Sequence, residues 1–112
     1  MAPMDELQFR KRTAAIYKAV TDRLDLEDPD EVEADHSADA VRIRCKGGKL
    51  FILNHQTPLR QVWYAAGDRA WHFQFDPSAG KWIDPRNFDE LGATLGTTIS
   101  RAVGKPIAFA LR

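Results

Sequence analysis

Apolar residues recur along this chain with two different periods. Phe9, Thr13, Ile16, Val20 and Leu24 follow steps of four and three, which puts them on one stripe of a helix about four turns long. Asp5 stands where a carboxylate caps the free amides of a first turn, and Gln8 occupies the capping-box position three residues later. Met4 and Phe9 have the spacing of a hydrophobic staple, and Pro29 lies beyond the helix end. After Pro29 the period becomes two. Val32 and Ala34 begin a short acidic strand; Val41, Ile43 and Cys45 then alternate with Arg42, Arg44 and Lys46. Gly47 and Gly48 turn the chain into a strand from Lys49 to His55, and Pro58 marks a bend before Gln61 to Ala66. Trp71, Phe73 and Phe75 alternate with His72 and Gln74, and Lys81 to Asp84 is a short sixth strand.

The helical period then returns. Asn87 with Glu90 predicts a second capping box, with Phe88, Leu91, Leu95, Ile99 and Val103 on one stripe, and Gly104 and Pro106 stop the helix. Ile107, Phe109 and Leu111 alternate in a tail expected to lie back on the core. Short turns require antiparallel neighbours, because parallel pairs need long crossovers. Each helix has one apolar stripe and most strands one apolar side. The expected fold is therefore α+β: a two-layer sandwich with two helices on one face of an antiparallel sheet of about six strands, the other face open to water.

Length and composition narrow the class. A chain of 112 residues, 44% hydrophobic, is one domain over residues 1–112, large enough to bury a core without disulfides. The longest apolar run free of alanine is Leu50 to Leu53, and no apolar run exceeds five residues, far short of the roughly 20 residues of a membrane span. The basic cluster Arg10, Lys11 and Arg12 has no adjoining apolar stretch of the kind a secretory signal carries. A single cysteine, Cys45, excludes an intramolecular disulfide or a cysteine-based zinc site and suits a reducing cytoplasm. It shares the phase of Val41 and Ile43, so it is expected in the core.

The zero net charge conceals a dipole: residues 1–40 carry 11 acids and 5 bases, and residues 41–112 the reverse. Between Asp22 and Asp39, Arg23 is the sole base among Asp22, Asp25, Glu27, Asp28, Asp30, Glu31, Glu33, Asp35 and Asp39. Such a block is ordinarily a solvated face. Here, however, acids near a helix C-terminus face the negative end of its dipole, and carboxylates crowded within about 4 Å repel by roughly 1 kcal/mol even in water. A cation or a basic protein surface would relieve that. An all-carboxylate set suits hard ions such as Fe(II), Fe(III), Mn, Ca or Mg, bound weakly, and it lacks the order of an EF-hand loop.

Conventional catalysis has little to work with: His36, His55 and His72 sit in no nucleophile motif, and there is no Gly-rich phosphate loop, HExxH or CxxC. The expectation is a protein that is not an enzyme. Arg42, Arg44 and Lys46 without interleaved aromatics do not indicate nucleic acid. If Val62 and Tyr64 point inward, Trp63 points outward with Gln61, and a Trp on an open polar sheet is a contact candidate. Trp71 and Trp82 are expected in the core or at its rim.

From Asn54 to Ala65 the chain reads N-H-Q-T-P-L-R-Q-V-W-Y-A, which resembles the signature of the frataxin family, particularly its bacterial members. The acidic first helix and strand, Trp71-His72-Phe73 and Lys81-Trp82-Ile83 extend the likeness over essentially the whole chain. The resemblance implies weak binding of iron, Fe(II) or Fe(III), on an acidic ridge and a role as regulator or iron donor in iron-sulfur cluster assembly, with a cysteine desulfurase and its scaffold protein as partners. By position the ridge comprises Asp22, Asp25, Asp28 and Asp30, with Glu27, Glu31 and Glu33 as neighbours. Asn54, Gln56 and Trp63 correspond to sheet-face partner contacts. Leu26 stands where bacterial relatives often place another acid, and Lys18 and Arg23 lie beside the ridge. No eukaryotic-type targeting extension is read before the domain, which favours a bacterial cytoplasmic protein, and a monomer is expected. Two further readings stay open: ferroxidase-type iron oxidation, and a metal-independent acidic interaction module. Haem binding through His55 or His72 rests on isolated histidines.

Overall fold

The structure is a computed structural model describing residues 4–111, so residues 1–3 and 112 of the expected domain lie outside the described residues. Its elements are α1 (Glu6–Leu24), β1 (Val32–His36), β2 (Ala40–Cys45), β3 (Lys49–Gln56), β4 (Gln61–Ala66), β5 (Arg69–Asp76), β6 (Lys81–Ile83) and α2 (Leu91–Val103). The strands form one antiparallel sheet in consecutive order, as expected of short connections. Between β2 and β3, Gly47 and Gly48 take φ of 83° and 77°, a left-handed pair that side chains beyond Cα would strain.

α1 begins as its sequence predicts: the Asp5 carboxylate accepts from the Gln8 amide at 2.8 Å. The stripe Phe9, Thr13, Ile16, Val20 and Leu24 is buried, joined by Tyr17. α2 buries Leu91, Leu95, Ile99 and Val103 and ends at Gly104 in the left-handed conformation. The expected capping box at its start is not formed. Glu90 itself caps the helix, its carboxylate accepting from the Gly92 and Ala93 amides, so Asn87 lies outside and bonds the Asp89 amide instead. Phe88 consequently leaves the stripe: it is 80% exposed with φ of 63°. The physical reason is Asp84, which ties down the preceding turn. Its buried carboxylate takes the Arg86 amide and guanidinium and the His72 amide, and its carbonyl takes the Phe88 amide, so the chain cannot enter helix before Glu90.

The sheet's inner face, covered by both helices, holds Val41, Ile43, Phe51, Leu53, Val62, Tyr64, Trp71, Phe73 and Trp82. Cys45 is buried among them, and burial raises its thiol pKa. Tyr64 bonds Thr98 of α2 at 2.7 Å and Trp71 donates to Asp89 at 2.9 Å, so the polar tips of two core aromatics fix where α2 lies. The tail lies back on the core, with Ile107 buried and Phe109 and Leu111 packed against it. Gly92 and Gly96 make room for it. A Cβ on Gly96 would stand 3.1 Å from the Ile107 carbonyl oxygen, and the Ser100 hydroxyl grips that residue by both its amide and its carbonyl.

This close approach makes a prediction opposite to helix propensity. In an open helix Gly→Ala gains about 1 kcal/mol. Gly96→Ala is expected instead to lower stability in urea unfolding, because the tail held by Ser100 cannot retreat; a stabilised variant would refute the tight packing.

Candidate functional site

Two surfaces carry the candidate residues. The first is the sheet face turned away from the helices. Val62 and Tyr64 do point inward, so Trp63 and Gln61 face out. The register aligns Asn54 with Trp63 and Trp63 with His72 across three strands; Gln56 and Gln61 pair in the next row. The Trp63 indole stacks on the His72 imidazole, with centroids 4.1 Å apart and 10° between planes, and donates to Gln61 at 2.8 Å. These contacts hold the Trp63 ring in one orientation. Asn54 Oδ1 is buried with no hydrogen-bond partner among the described residues, an arrangement that a donor from outside would satisfy. The sequence brought Asn54, Gln56 and Trp63 onto this face. His72 was placed outward by its phase, and the structure adds its role as support for the indole.

The second surface is the acidic run from the end of α1 to β1. Here the seven candidates separate. Glu27 is largely enclosed and engaged at both oxygens, by Arg23 at 2.6 Å and Lys105 at 2.8 Å; hydrogen bonds from Lys105 and then Arg23 hold its carboxyl below the usual carboxylate range. Arg23 also donates to the Ala108 carbonyl, so Glu27 belongs to a tie between the helix end and the tail. Glu31 lies 3.6 Å from Lys105, and Asp22 pairs with Lys18 at 2.5 Å. Asp25, Asp28, Asp30 and Glu33 are exposed and have no ion-pair partner among the described residues. Asp28 organises its own turn, its carboxylate accepting from the Asp30 amide at 2.9 Å. Nowhere among the described residues do three His, Cys, Asp or Glu side chains converge as a metal ion would require. The expected set of seven is thus a strip of separate carboxylates, because the chain spreads them over a helix end, a turn and an extended strand. Asp35, flanking it, pairs with Arg44 across β2.

Of the two histidines, His72 is stacked on Trp63, and His55 is turned to the inner face. There its Nδ1 lies 2.7 Å from the Tyr17 hydroxyl and its ring contacts Phe9 edge-on. Among the described residues no helix is long and apolar enough to cross a membrane.

An antiparallel sheet with helices on one face only, an open face bearing a braced Trp and an acid-rich rim define a small, two-layer α+β domain. Comparison with known proteins agrees. A family model described as a frataxin-like domain matches residues 2–105. The chain is 31% identical over 106 residues to the iron-sulfur cluster assembly protein CyaY of Azotobacter vinelandii, covering 95% of this chain and 96% of that one. It is 33% identical over 106 residues to CyaY of Ectopseudomonas mendocina, with 95% and 96% covered. Among solved structures, frataxin from Psychromonas ingrahamii superposes with a TM-score of 0.86 at 24% identity, covering 96% of this chain and 99% of that one. Trimeric frataxin from Saccharomyces cerevisiae, complexed with ferrous iron, gives 0.69 at 18% identity, with 94% and 91% covered. The chain belongs to the frataxin family.

The ion-pair pattern and the inner histidine each predict a measurable stability change. Asp25 caps the C-terminus of α1, where its charge opposes the helix dipole. Asp25→Asn should therefore raise Tm by about 1–3 °C in metal-free buffer. Glu27→Gln should lower it by loosening the tail, and a common sign for the two would contradict the division drawn above.

For His55, burial lowers the pKa from its ordinary 6.5, Asp39 opposes that shift and Arg10 adds to it. The unfolded chain then binds the proton more readily, so stability is full above about pH 6.5 and declines as pH falls toward the folded pKa. Thermal melts from pH 7 to 5 should show this decline, and His55→Gln should flatten it. Below about pH 4.5 both proteins should lose stability together. There the carboxyls of Glu27, Asp76 and Asp84, held below their ordinary values in the fold, bind protons more readily in the unfolded chain, and the stability they add is lost as pH falls through their folded values; at Asp84 burial raises the pKa but hydrogen bonds from Arg86 and His72 outweigh it.

Proposed function

We propose that this protein acts in iron-sulfur cluster assembly as a non-enzymatic regulator or iron donor, docking on a cysteine desulfurase and its scaffold protein in the bacterial cytoplasm. The observation that carries this reading is the open sheet face: Trp63 braced on His72 beside the unsatisfied Asn54 Oδ1, on a chain that aligns along its length with proteins named for iron-sulfur cluster assembly. A fixed aromatic loses little side-chain freedom on binding, and a buried acceptor without a donor rewards a partner that supplies one.

Iron enters as cargo. The free carboxylates of Asp25, Asp28, Asp30 and Glu33 are hard oxygen donors, and their separation supports loose, exchangeable association with Fe(II) or Fe(III). The same separation favours a second reading in which the strip serves chiefly to meet a positively charged partner, with metal incidental. Charge complementarity of that kind speeds and orients docking without any coordination site.

The test pairs two variants. Trp63→Ala should weaken desulfurase or scaffold binding by about 30-fold or more while leaving Tm within a few degrees of the parent, because the residue lies off the core. Unchanged affinity and an unchanged cluster-assembly rate would sink the proposal. Anaerobic Fe(II) titration followed by chemical shifts separates the two readings of the strip. Iron as cargo predicts shifts at Asp25, Asp28, Asp30 and Glu33 that vanish in the fourfold Asp→Asn and Glu→Gln variant. Desulfurase binding that survives complete chelation with regulation intact favours the charge-only reading.

A further inference from the structure

The register between β1 and β2 determines which main-chain groups are free. Lys46 N–H donates to the Glu31 carbonyl at 2.8 Å and Ser37 N–H to the Ala40 carbonyl at 2.9 Å, both continuing the β1–β2 ladder. Hydrogen-bonded pairs alternate along an antiparallel ladder, so Glu31, Glu33, Asp35 and Ser37 direct their amides and carbonyls at β2. Val32, Ala34 and His36 direct theirs the opposite way. The Val32 amide is taken by the Asp28 carbonyl at 3.0 Å. For the main-chain groups of Ala34 and His36 no partner exists among the described residues, and β1 is the terminal strand of the sheet. The opposite edge is closed differently: β6 has three residues, and Ile83 bridges to Glu90 at the head of α2.

An open edge strand invites pairing with any extended chain unless something discriminates. Here the discriminating element is charge. Glu33 projects from the outer side of β1 with no ion pair among the described residues, opposite Arg44 of β2, whose guanidinium is taken by Asp35, and Asp25, Asp28 and Asp30 lead into the strand. Two copies meeting edge to edge would bring these acids together, and like charges directly opposite one another destabilise a strand pair. A segment rich in lysine and arginine meets the reverse condition. Ala34 alternates with Glu33 and Asp35 on the inner side, where its small, half-buried side chain packs against the core.

We propose that the free edge of β1 takes up an extended basic segment of a partner protein as an added strand, with lysines or arginines beside Glu33 alternating with small or β-branched residues beside Ala34. This rests on the reading above that the acidic strip meets a basic partner, and specifies the main-chain geometry by which it does so. Backbone hydrogen bonds supply affinity in such strand addition, and the alternate side chains supply selectivity.

The probe is a synthetic heptapeptide alternating lysine with valine, compared with the same sequence N-methylated at alternate residues, which keeps its charge and loses its donors. Strand addition predicts slowed amide hydrogen exchange at Ala34 and His36 with the first peptide, and binding about tenfold weaker or worse with the second. Ala34→Pro removes the outward donor at a position where an edge strand tolerates proline, and should cost a similar factor. The methylated peptide keeps the test decisive should that variant fold poorly. Equal binding of the two peptides, without protection at Ala34 and His36, overturns the proposal in favour of charge alone. Protection that rises with protein concentration and no peptide overturns it in favour of a second copy. Desulfurase binding undiminished by Ala34→Pro counts against the edge and leaves the cluster-assembly reading standing, whereas loss of cluster-assembly activity is tested separately by Trp63→Ala.

Discussion

Two helices cover one face of a six-stranded sheet and no more. That constraint governs the rest of the molecule. Its inner face takes nearly all the large apolar residues, with Trp71, Phe73, Tyr64 and Trp82 between the strands and the stripes of α1 and α2. Burial of this kind yields about 25 cal/mol per Å2 of apolar surface. The outer face has no such cover. It must remain tolerable in water and can still hold a few side chains ready for contact. Pairing indole with imidazole, as Trp63 does with His72, meets both requirements: the ring keeps one orientation without entering the core.

The same geometry explains why the acids collect where they do. α1 ends above the β1 side of the sheet, and the chain between them must loop around the rim, where most residues face water. Charge there is cheap for the fold provided the root is tied. Glu27 is that tie, linking Arg23 of α1 to Lys105 and so to the tail that packs along α2. With the root fixed by ion pairs, the neighbouring carboxylates of Asp25, Asp28 and Asp30 can stay uncompensated.

Most of this was legible in the residues. Period-two alternation fixed the strands to within a residue or so because one face of every strand is buried, and a slip would turn each side chain to the wrong side. Asp5 and Gln8 announced the start of α1 for the same local reason that they cap it. The start of α2 was misplaced because two patterns competed. Asn87 and Glu90 have capping-box spacing, but the decisive partner is Asp84, whose bond from the His72 amide reaches a different strand and leaves no mark in local spacing. The site was legible in composition and not in grouping. Seven acids within twelve positions suggested a shared site, yet a helix end, a turn and a strand point successive residues in different directions. Which acids are ion-paired depended on Lys105, more than seventy residues along the chain from Glu31.

That spreading of charge bears on what kind of recognition the rim suits. A coordinated ion needs several oxygens around one point, and its affinity falls steeply with each one withdrawn. A long-range field needs only the sum of charges. Exposed acids a few residues apart lie within or near the Debye length of about 8 Å at physiological salt, so they act together on an approaching positive surface even where they cannot act together on an ion. A strip of this form is therefore stronger as a guide to docking than as a metal cage. Iron held singly on such carboxylates would exchange quickly, which is what handing it to a partner requires and what storing it forbids. On the proposed reading the open face and the charged rim divide the work: the rim would direct a partner into place, and the braced Trp63, with the unsatisfied Asn54, would supply the short-range contact that makes the encounter specific.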